Sequence, residues 1–302
     1  MEATHPKDPT ATGAPGVLID CDPGHDDAVM LALAAVHARV VGITTVCGNV
    51  DLHHTTRNAL AIAQLVGLDV PVHAGAAEPL DGSRVDAAEV HGATGMDGTT
   101  LPEPARTAGG DGPGFLLDAS AREEGLWLVS TGPLTNVAIA LQRDPGFARR
   151  LAGISLMGGS ALGGNVTAAA EFNVYADPEA ASIVFSADCP VRMSGLDVTR
   201  QFLADDGLVA ELRALANPVA AMVAEVLAHE LERFGAYATC TTLPPMHDPV
   251  ALLAVTHPHL VEVCPAPITV ETSGTITRGA TVVDRRLVSR EGAPPPPTGR
   301  TE

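Results

Sequence analysis

Short apolar runs followed at once by helix-period stretches recur along the chain, and this alternation constrains the fold more than any other feature. Gly16–Ile19 reads as a buried strand, with a helix over Asp27–Arg39. Val40–Val46 is the next strand, with a helix over Thr55–Val66, and Val70–Val72 is a short strand. Leu126–Ser130 precedes a helix over Leu134–Gln142. Gly153–Met157 precedes one over Pro178–Phe185, and Pro190–Ser194 is a further strand. Strands that are apolar throughout, each followed by a helix, belong in an open, mostly parallel sheet with helices on both faces, so the fold class is α/β. Residues 75–125 are rich in Gly, Pro and Asp and read as loops near a site. Residues 205–235 read as helical, as does the apolar stretch Val250–Val255. With no internal repeat and no linker, residues 16–288 are expected to form a single domain. Residues 1–15 read as a disordered arm, and 289–302, with Pro294–Pro297, as a Pro-rich tail.

Aromatic residues make up 3% of the chain against 46% hydrophobic, so the core has to be built from Ala, Val, Leu and Ile. The formal net charge of -18 repels phosphate backbones and anionic membrane surfaces. That disfavours nucleic-acid polymers and membranes as partners and leaves small neutral molecules and cations. Cys21, Cys47, Cys189, Cys240 and Cys264 are odd in number and widely spaced, without a CxxC pair, which argues against a disulfide framework or a zinc site. No stretch approaches the roughly 18 apolar residues of a membrane span, and the first residues lack the apolar run of a signal peptide. A cytoplasmic, reducing setting is expected.

The polar residues cluster where the expected strands end. Asp20–Asp27 follow the first strand, Gly48-Asn49 the second, Thr131–Asn136 the Trp127 strand, and Met157–Gly159 another. In parallel α/β sheets the ligand crevice lies outside the carboxyl ends of the strands, so these segments are expected to converge. Asp20, Asp22, Asp26 and Asp27 are close enough to repel one another, and a bound hard cation would keep them ionised. The run is not an EF-hand: counted from Asp20, the required glycine falls on His25 and the required glutamate on Leu31. Nor is it an Asp-x-Asp-x-Thr phosphatase loop, because Gly24 stands where the threonine should be. Helix capping by Asp26, with Asp27 favouring the helix dipole, is the alternative, and the residues alone leave both open.

The motif Val17-Leu-Ile-Asp-Cys-Asp-Pro-Gly-His-Asp-Asp-Ala28 is followed in order by Gly48-Asn49, His91-Gly92 with Gly95–Gly98, Thr131–Asn136, Met157–Gly159, Glu171-Phe-Asn173 and His247-Asp248. On these residues the chain resembles the inosine–uridine-preferring nucleoside hydrolase family over roughly residues 16–286. The resemblance implies hydrolysis of the N-glycosidic bond of ribonucleosides through an oxocarbenium-like transition state. It also implies Ca²⁺ as cofactor, a small-molecule nucleoside as partner, and assembly as a homodimer or homotetramer. It places Asp22, Asp27, Asp248 and the backbone carbonyl of Thr131 around Ca²⁺, an oxygen-only set that suits the ion. Asp22 would also act as general base toward the attacking water, and His247 as proton donor to the leaving base. Asp26, Asn49, Glu171 and Asn173 would hold the ribose hydroxyls and Met157 would pack against the sugar. His91, Phe234 and Tyr237 would face the base. Asp20 would be a supporting carboxylate.

Each assignment has a plainer alternative. Asn49 would cap a strand-to-helix turn, Glu171 and Asn173 would lie on the surface, and Met157 would belong to the core. His247-Asp248-Pro249 would simply start a helix, with Asp248 as its cap. His91 would be a solvated loop residue, and Phe234 and Tyr237 would pack along a helix. His53 and His54 read as surface residues and Trp127 as core. Two departures from the family pattern stand out. Residues 229–246 are sparse in aromatics, which leaves purine, pyrimidine and broad preference open, and the family's closing strand and helix have no counterpart after Arg286. The rival function is a nucleoside- or ribose-binding protein that keeps the ion site without turnover. A metal-dependent phosphatase is disfavoured in a chain whose lysine, Lys7, lies in the arm.

Overall fold

Val17, Leu18, Ile19 and Cys21 expose no surface, so the strand they form, β1 (Gly16–Cys21), is covered on both faces. Successive strand residues point to opposite faces. Val17, Ile19 and Cys21 accordingly join one hydrophobic cluster and Leu18 the other. The computed structural model describes residues 13–82, 84–237 and 241–286, with the side chains of 235–237 left aside.

After β1 come α1 (His25–His37), β2 (Arg39–Thr45), α2 (Leu52–Val66), β3 (Val72–Ala74), α3 (Ala88–His91) and α4 (Gly112–Arg122). Then follow β4 (Leu126–Ser130), α5 (Thr135–Arg143), α6 (Phe147–Arg150), β5 (Leu151–Met157), α7 (Phe172–Ala176), α8 (Pro178–Phe185) and β6 (Val191–Ser194). The chain continues through α9 (Leu196–Thr199), α10 (Asp206–Ala214), α11 (Pro218–Tyr237), α12 (Asp248–Thr256), β7 (Ile268–Val270) and β8 (Thr281–Val283). Six strands form one sheet in the order β3-β2-β1-β4-β5-β6, every pair parallel. The expected α/β architecture is therefore present. The strand order reverses direction between β1 and β4, and that switch point is where such sheets open a crevice. The apolar sides of α1, α2, α11 and α12 cover one face of the sheet, and those of α4, α5 and α8 the other. Among the described residues no helix is long and apolar enough to cross a membrane.

Three features differ from the sequence expectation. Residues 75–125 are not all loop, because α4 forms there. Its start is concealed by Gly112-Pro113-Gly114, but Asp111 accepts the Gly114 N–H and proline suits a first helical turn. The helical stretch 205–235 is broken at Ala216, whose φ of 51° separates α10 from α11. The antiparallel pair β7–β8 was not expected. Trp127, expected in the core, packs against it from a half-buried position, and its ring is covered by the Arg192 guanidinium 4.4 Å from the centroid, a cation–π contact. Cys21, Cys47, Cys189 and Cys264 are free thiols. The expected arm, apart from residues 13–15, and the expected tail lie outside the described residues, as does Cys240.

Candidate active site

β1 delivers its last residues into the switch point, and Asp22 follows directly. The Asn49 N–H donates to Asp22 Oδ2 at 2.7 Å, and the Asn49 side-chain amide donates to the Asp22 carbonyl at 3.1 Å. Gly48 and Gly132 bring their backbones against the two carboxylate oxygens, so closely that a β-carbon on either would collide with them. Asp22 Oδ1 is buried with no hydrogen-bond partner among the described residues. Asn49 therefore does not cap a turn; Asp51 caps α2 instead.

Asp26 and Asp27 sit in the first turn of α1, where the helix dipole favours negative charge. Asp26 does not cap this helix. Gly24 is the cap residue, and its N–H donates to Asp27 Oδ2 at 3.0 Å. The Thr131 hydroxyl donates to Asp27 Oδ1 at 2.7 Å, which ties the end of β4 to α1. Asp248 arrives from α12 on the far side. It is the first residue of that helix, with His247 in the cap position, so the expected cap role for Asp248 does not hold. α12 is fixed to the sheet by the Ser155 hydroxyl, which donates to the Ala251 carbonyl at 2.7 Å. One carboxylate oxygen from each of Asp26, Asp27 and Asp248 falls within 4.8 Å of the others. Asp22 stands outside that triplet, beside it.

These carboxylates are buried together, and burial raises their proton affinity. It pushes Asp27 up to about 7, and it holds Asp22 and Asp248 well above the ordinary range, with mutual repulsion adding to both. Only in Asp26 is the burial effect outweighed, by His91 and His247 nearby, and its pKa lies below the ordinary value. Several buried carboxylates, one with an oxygen that no donor reaches, are costly unless a cation lies among them. The donor set present, all oxygen, fits a hard divalent ion. Asp20 lies one layer deeper. It accepts from Thr44 Oγ1 at 2.6 Å and Asn136 Nδ2 at 2.8 Å, and burial pushes its pKa up to about 6.

Met157 ends β5 and is buried. Asn173 Nδ2 donates to the Thr131 carbonyl at 2.8 Å and to the Met157 carbonyl at 3.1 Å. Glu171 accepts three backbone N–H groups, from Gly159, Asn173 and Val174, while burial still pushes it up to about 7. Neither Glu171 nor Asn173 is a surface residue. The His247 N–H donates to Asp26 Oδ2 at 3.2 Å, and its Nδ1 lies 2.7 Å from Thr199 Oγ1. His91 is half-buried, its Nδ1 unpartnered and near Gly24. Phe234 is half-buried on α11, and the Tyr237 side chain lies outside the described residues. His53 is exposed; His54 is half-buried and bonded to Asp51.

The sequence reading left out two residues that the fold brings here. His25 is buried, with Nδ1 2.5 Å from Glu230 Oε1 and Nε2 2.8 Å from the Asp97 carbonyl. Thr199, behind His247, was also left out. His25 stands inside the acidic motif and Glu230 in the helical stretch, but nothing local pairs them.

Comparison with known proteins adds an independent line. Residues 17–297 match the family model described as inosine-uridine preferring nucleoside hydrolase. The chain is 41% identical over 278 residues to the pyrimidine-specific ribonucleoside hydrolase RihA of Salmonella typhimurium, covering 89% of this chain and 88% of that protein. It is 44% identical over 275 residues to the protein of the same name from Citrobacter koseri, covering 89% and 88%. Among solved structures it is similar to a purine-preferring ribonucleoside hydrolase from Gardnerella vaginalis, with a TM-score of 0.84, 32% identity, and coverage of 91% and 90%.

Proposed function

The chain belongs to the inosine-uridine preferring nucleoside hydrolase family, and from that premise we propose that it is a Ca²⁺-dependent ribohydrolase acting on pyrimidine ribonucleosides, releasing ribose and the free base. The observation that carries this reading is the buried carboxylate group at the switch point, with the unpartnered Asp22 Oδ1 beside Asp26, Asp27 and Asp248. The pyrimidine preference is supported by relatives named as pyrimidine-specific at 41% and 44% identity, against 32% for the purine-preferring structure.

Asp22, Asp27, Asp248 and the Thr131 carbonyl would hold the ion. When bound, Ca²⁺ would offset the carboxylates' repulsion and make water easier to deprotonate. Asp22, pinned through Oδ2 by Asn49, keeps Oδ1 available to accept the proton of the attacking water. The water oxygen bonds to the anomeric carbon as the carbon–nitrogen bond breaks, and the electron pair of that bond leaves with the base. His247 delivers a proton to the base and regains one from solvent, while the proton taken up by Asp22 passes to solvent, so that one water is divided between ribose and base. With Nδ1 engaged by Thr199, Nε2 is the ring atom left for that transfer. Asp26, Asn49, Glu171 and Asn173 would bind the ribose hydroxyls, with Met157 against the sugar and His91, Phe234 and Tyr237 toward the base. A role in base salvage, a cytoplasmic location and a homodimer or homotetramer complete the proposal; light scattering on the eluting protein tests the last.

Ribose release from uridine, cytidine, inosine and adenosine in the presence of Ca²⁺ tests the reading. Faster release from uridine and cytidine is expected. Preference for inosine would overturn the pyrimidine assignment. Tight nucleoside binding without ribose from any of the four would favour the binding-protein alternative.

A further inference from the structure

We propose that His25, His91 and Glu230 form a second metal site that takes a borderline transition-metal ion such as Zn²⁺, beside the all-oxygen site but different from it in chemistry. One ligand atom from each lies within 4.8 Å of the others. The three residues come from α1, α3 and α11, so the site exists only in the folded chain.

His25 has one ring nitrogen left for ligation. Its Nε2 lies 2.8 Å from the Asp97 carbonyl, and a carbonyl only accepts, so Nε2 carries a hydrogen. Nδ1 faces Glu230 Oε1 2.5 Å away, a contact that needs one proton between the two atoms; once that proton is displaced, Nδ1 has a lone pair to offer. A metal-binding histidine commonly has its other N–H held by a carbonyl in this way. His91 supplies the second, independent sign: its Nδ1 is buried and meets no hydrogen-bond partner among the described residues. Its ring centroid is 5.2 Å from that of His25. On the other side the His229 ring is 5.1 Å from His25, but His229 lies outside the three-residue group.

Two imidazoles and a carboxylate are a recurrent donor set for Zn²⁺, whereas Ca²⁺ takes oxygen. Tetrahedral bonds of about 2.0–2.1 Å put ligand atoms roughly 3.3 Å apart, so the His25–Glu230 contact has to open by less than about 1 Å. Glu230, 19% exposed on a long helix, is the partner free to shift. The ion replaces the proton that the pair otherwise shares. Occupation ties α11 to α1 and α3 next to Asp26, so bound Zn²⁺ inhibits turnover. That consequence rests on the roles of Asp26 toward the ribose and His91 toward the base proposed above; the binding does not.

The test uses the full chain saturated with Ca²⁺. Zn²⁺ is titrated against a chromogenic chelator, and Co²⁺ is added in parallel to read its visible absorption. One Zn²⁺ per chain is expected, with Co²⁺ bands of a nitrogen- and oxygen-liganded four-coordinate ion. Affinity is expected to fall at least tenfold in Glu230→Gln and in His91→Asn, with folding checked by circular dichroism. His53→Ala is expected to bind as the parent does, because Asp51, His53 and His54 form a separate, more exposed group. No Zn²⁺ bound under Ca²⁺ saturation, displacement of Zn²⁺ by excess Ca²⁺, unchanged affinity in both Glu230→Gln and His91→Asn, or loss of binding in His53→Ala would each overturn the site. A chain that binds Zn²⁺ as described yet releases no ribose from any nucleoside would overturn the ribohydrolase reading and leave the site standing.

Discussion

The backbone N–H of Asn49 donates to Asp22 Oδ2 at 2.7 Å and leaves Asp22 Oδ1 buried without a partner. The bond comes from the carboxyl end of β2 to the carboxyl end of β1, so two adjacent parallel strands fix one carboxylate. One oxygen is committed to position and the other has no partner among the described residues.

Replacement of Asp22 by alanine or asparagine is expected to lower kcat by about 10³-fold or more, consistent with the 10²–10⁴ range for a positioned acid–base group combined with loss of an ion ligand. Steady-state ribose release at saturating uridine checks it. A loss confined to KM would assign Asp22 to binding alone.

Metal removal and pH are linked here with a definite sign. Asp27 is raised from 3.8 to about 7, and Asp22 and Asp248 also move upward. In the metal-free protein these groups hold protons that the unfolded chain has already released between about pH 4 and 7, so stability falls as pH rises through that window. The proposed Ca²⁺ would need the ionised carboxylates, so its binding would release protons and strengthen as pH rises. Thermal melts with chelator and with Ca²⁺ are expected to show a calcium-induced Tm increase that grows from about pH 5 to about pH 8. A gain independent of pH would contradict the linkage.

Much of this was legible in the sequence, for physical reasons that differ by residue. The strand β1 and its acidic exit are contiguous, so a buried apolar run and the charges after it could be read together. Asn49, Thr131 and Met157 could be assigned to one crevice because parallel strands all end on the same side. Helix α4 was hidden because Gly112 and Gly114 lower helix propensity, while the Asp111 cap and Pro113 act only once the turn has formed. The break at Ala216 carries no glycine to announce its positive φ. The His25–Glu230 pair spans 205 positions and depends on how α11 packs over α1, which no local pattern encodes.

His247 is held at Nδ1 by Thr199 and through its backbone by Asp26. His247→Ala is expected to reduce kcat on uridine by about 10²–10⁴-fold. On a p-nitrophenyl riboside, whose leaving group departs without protonation, it is expected to have little effect. Thr199→Val, which leaves the ring but removes its anchor, should cost less than His247→Ala. Equal losses on both substrates would remove the proton-donor role.

Asp20 joins β1 to Thr44 and Asn136, all three buried. Asn136→Ala deletes a donor to a buried carboxyl and leaves it under-satisfied, which costs about 1–3 kcal/mol. Urea unfolding is expected to show that loss, with kcat reduced far less than in Asp22→Ala.

The central claim is that the buried carboxylates hold the Ca²⁺ on which ribose release depends. Its most direct measurement is the rate of ribose release from uridine across chelator-buffered free Ca²⁺, for the parent chain and for Asp248→Asn. Activity in the parent is expected to saturate with Ca²⁺ and to vanish under chelation. Asp248→Asn is expected to require at least tenfold more Ca²⁺ to reach half of its own maximum, or to show no activity at all. Parent activity unchanged by chelation, or a calcium midpoint unmoved by Asp248→Asn, would contradict it.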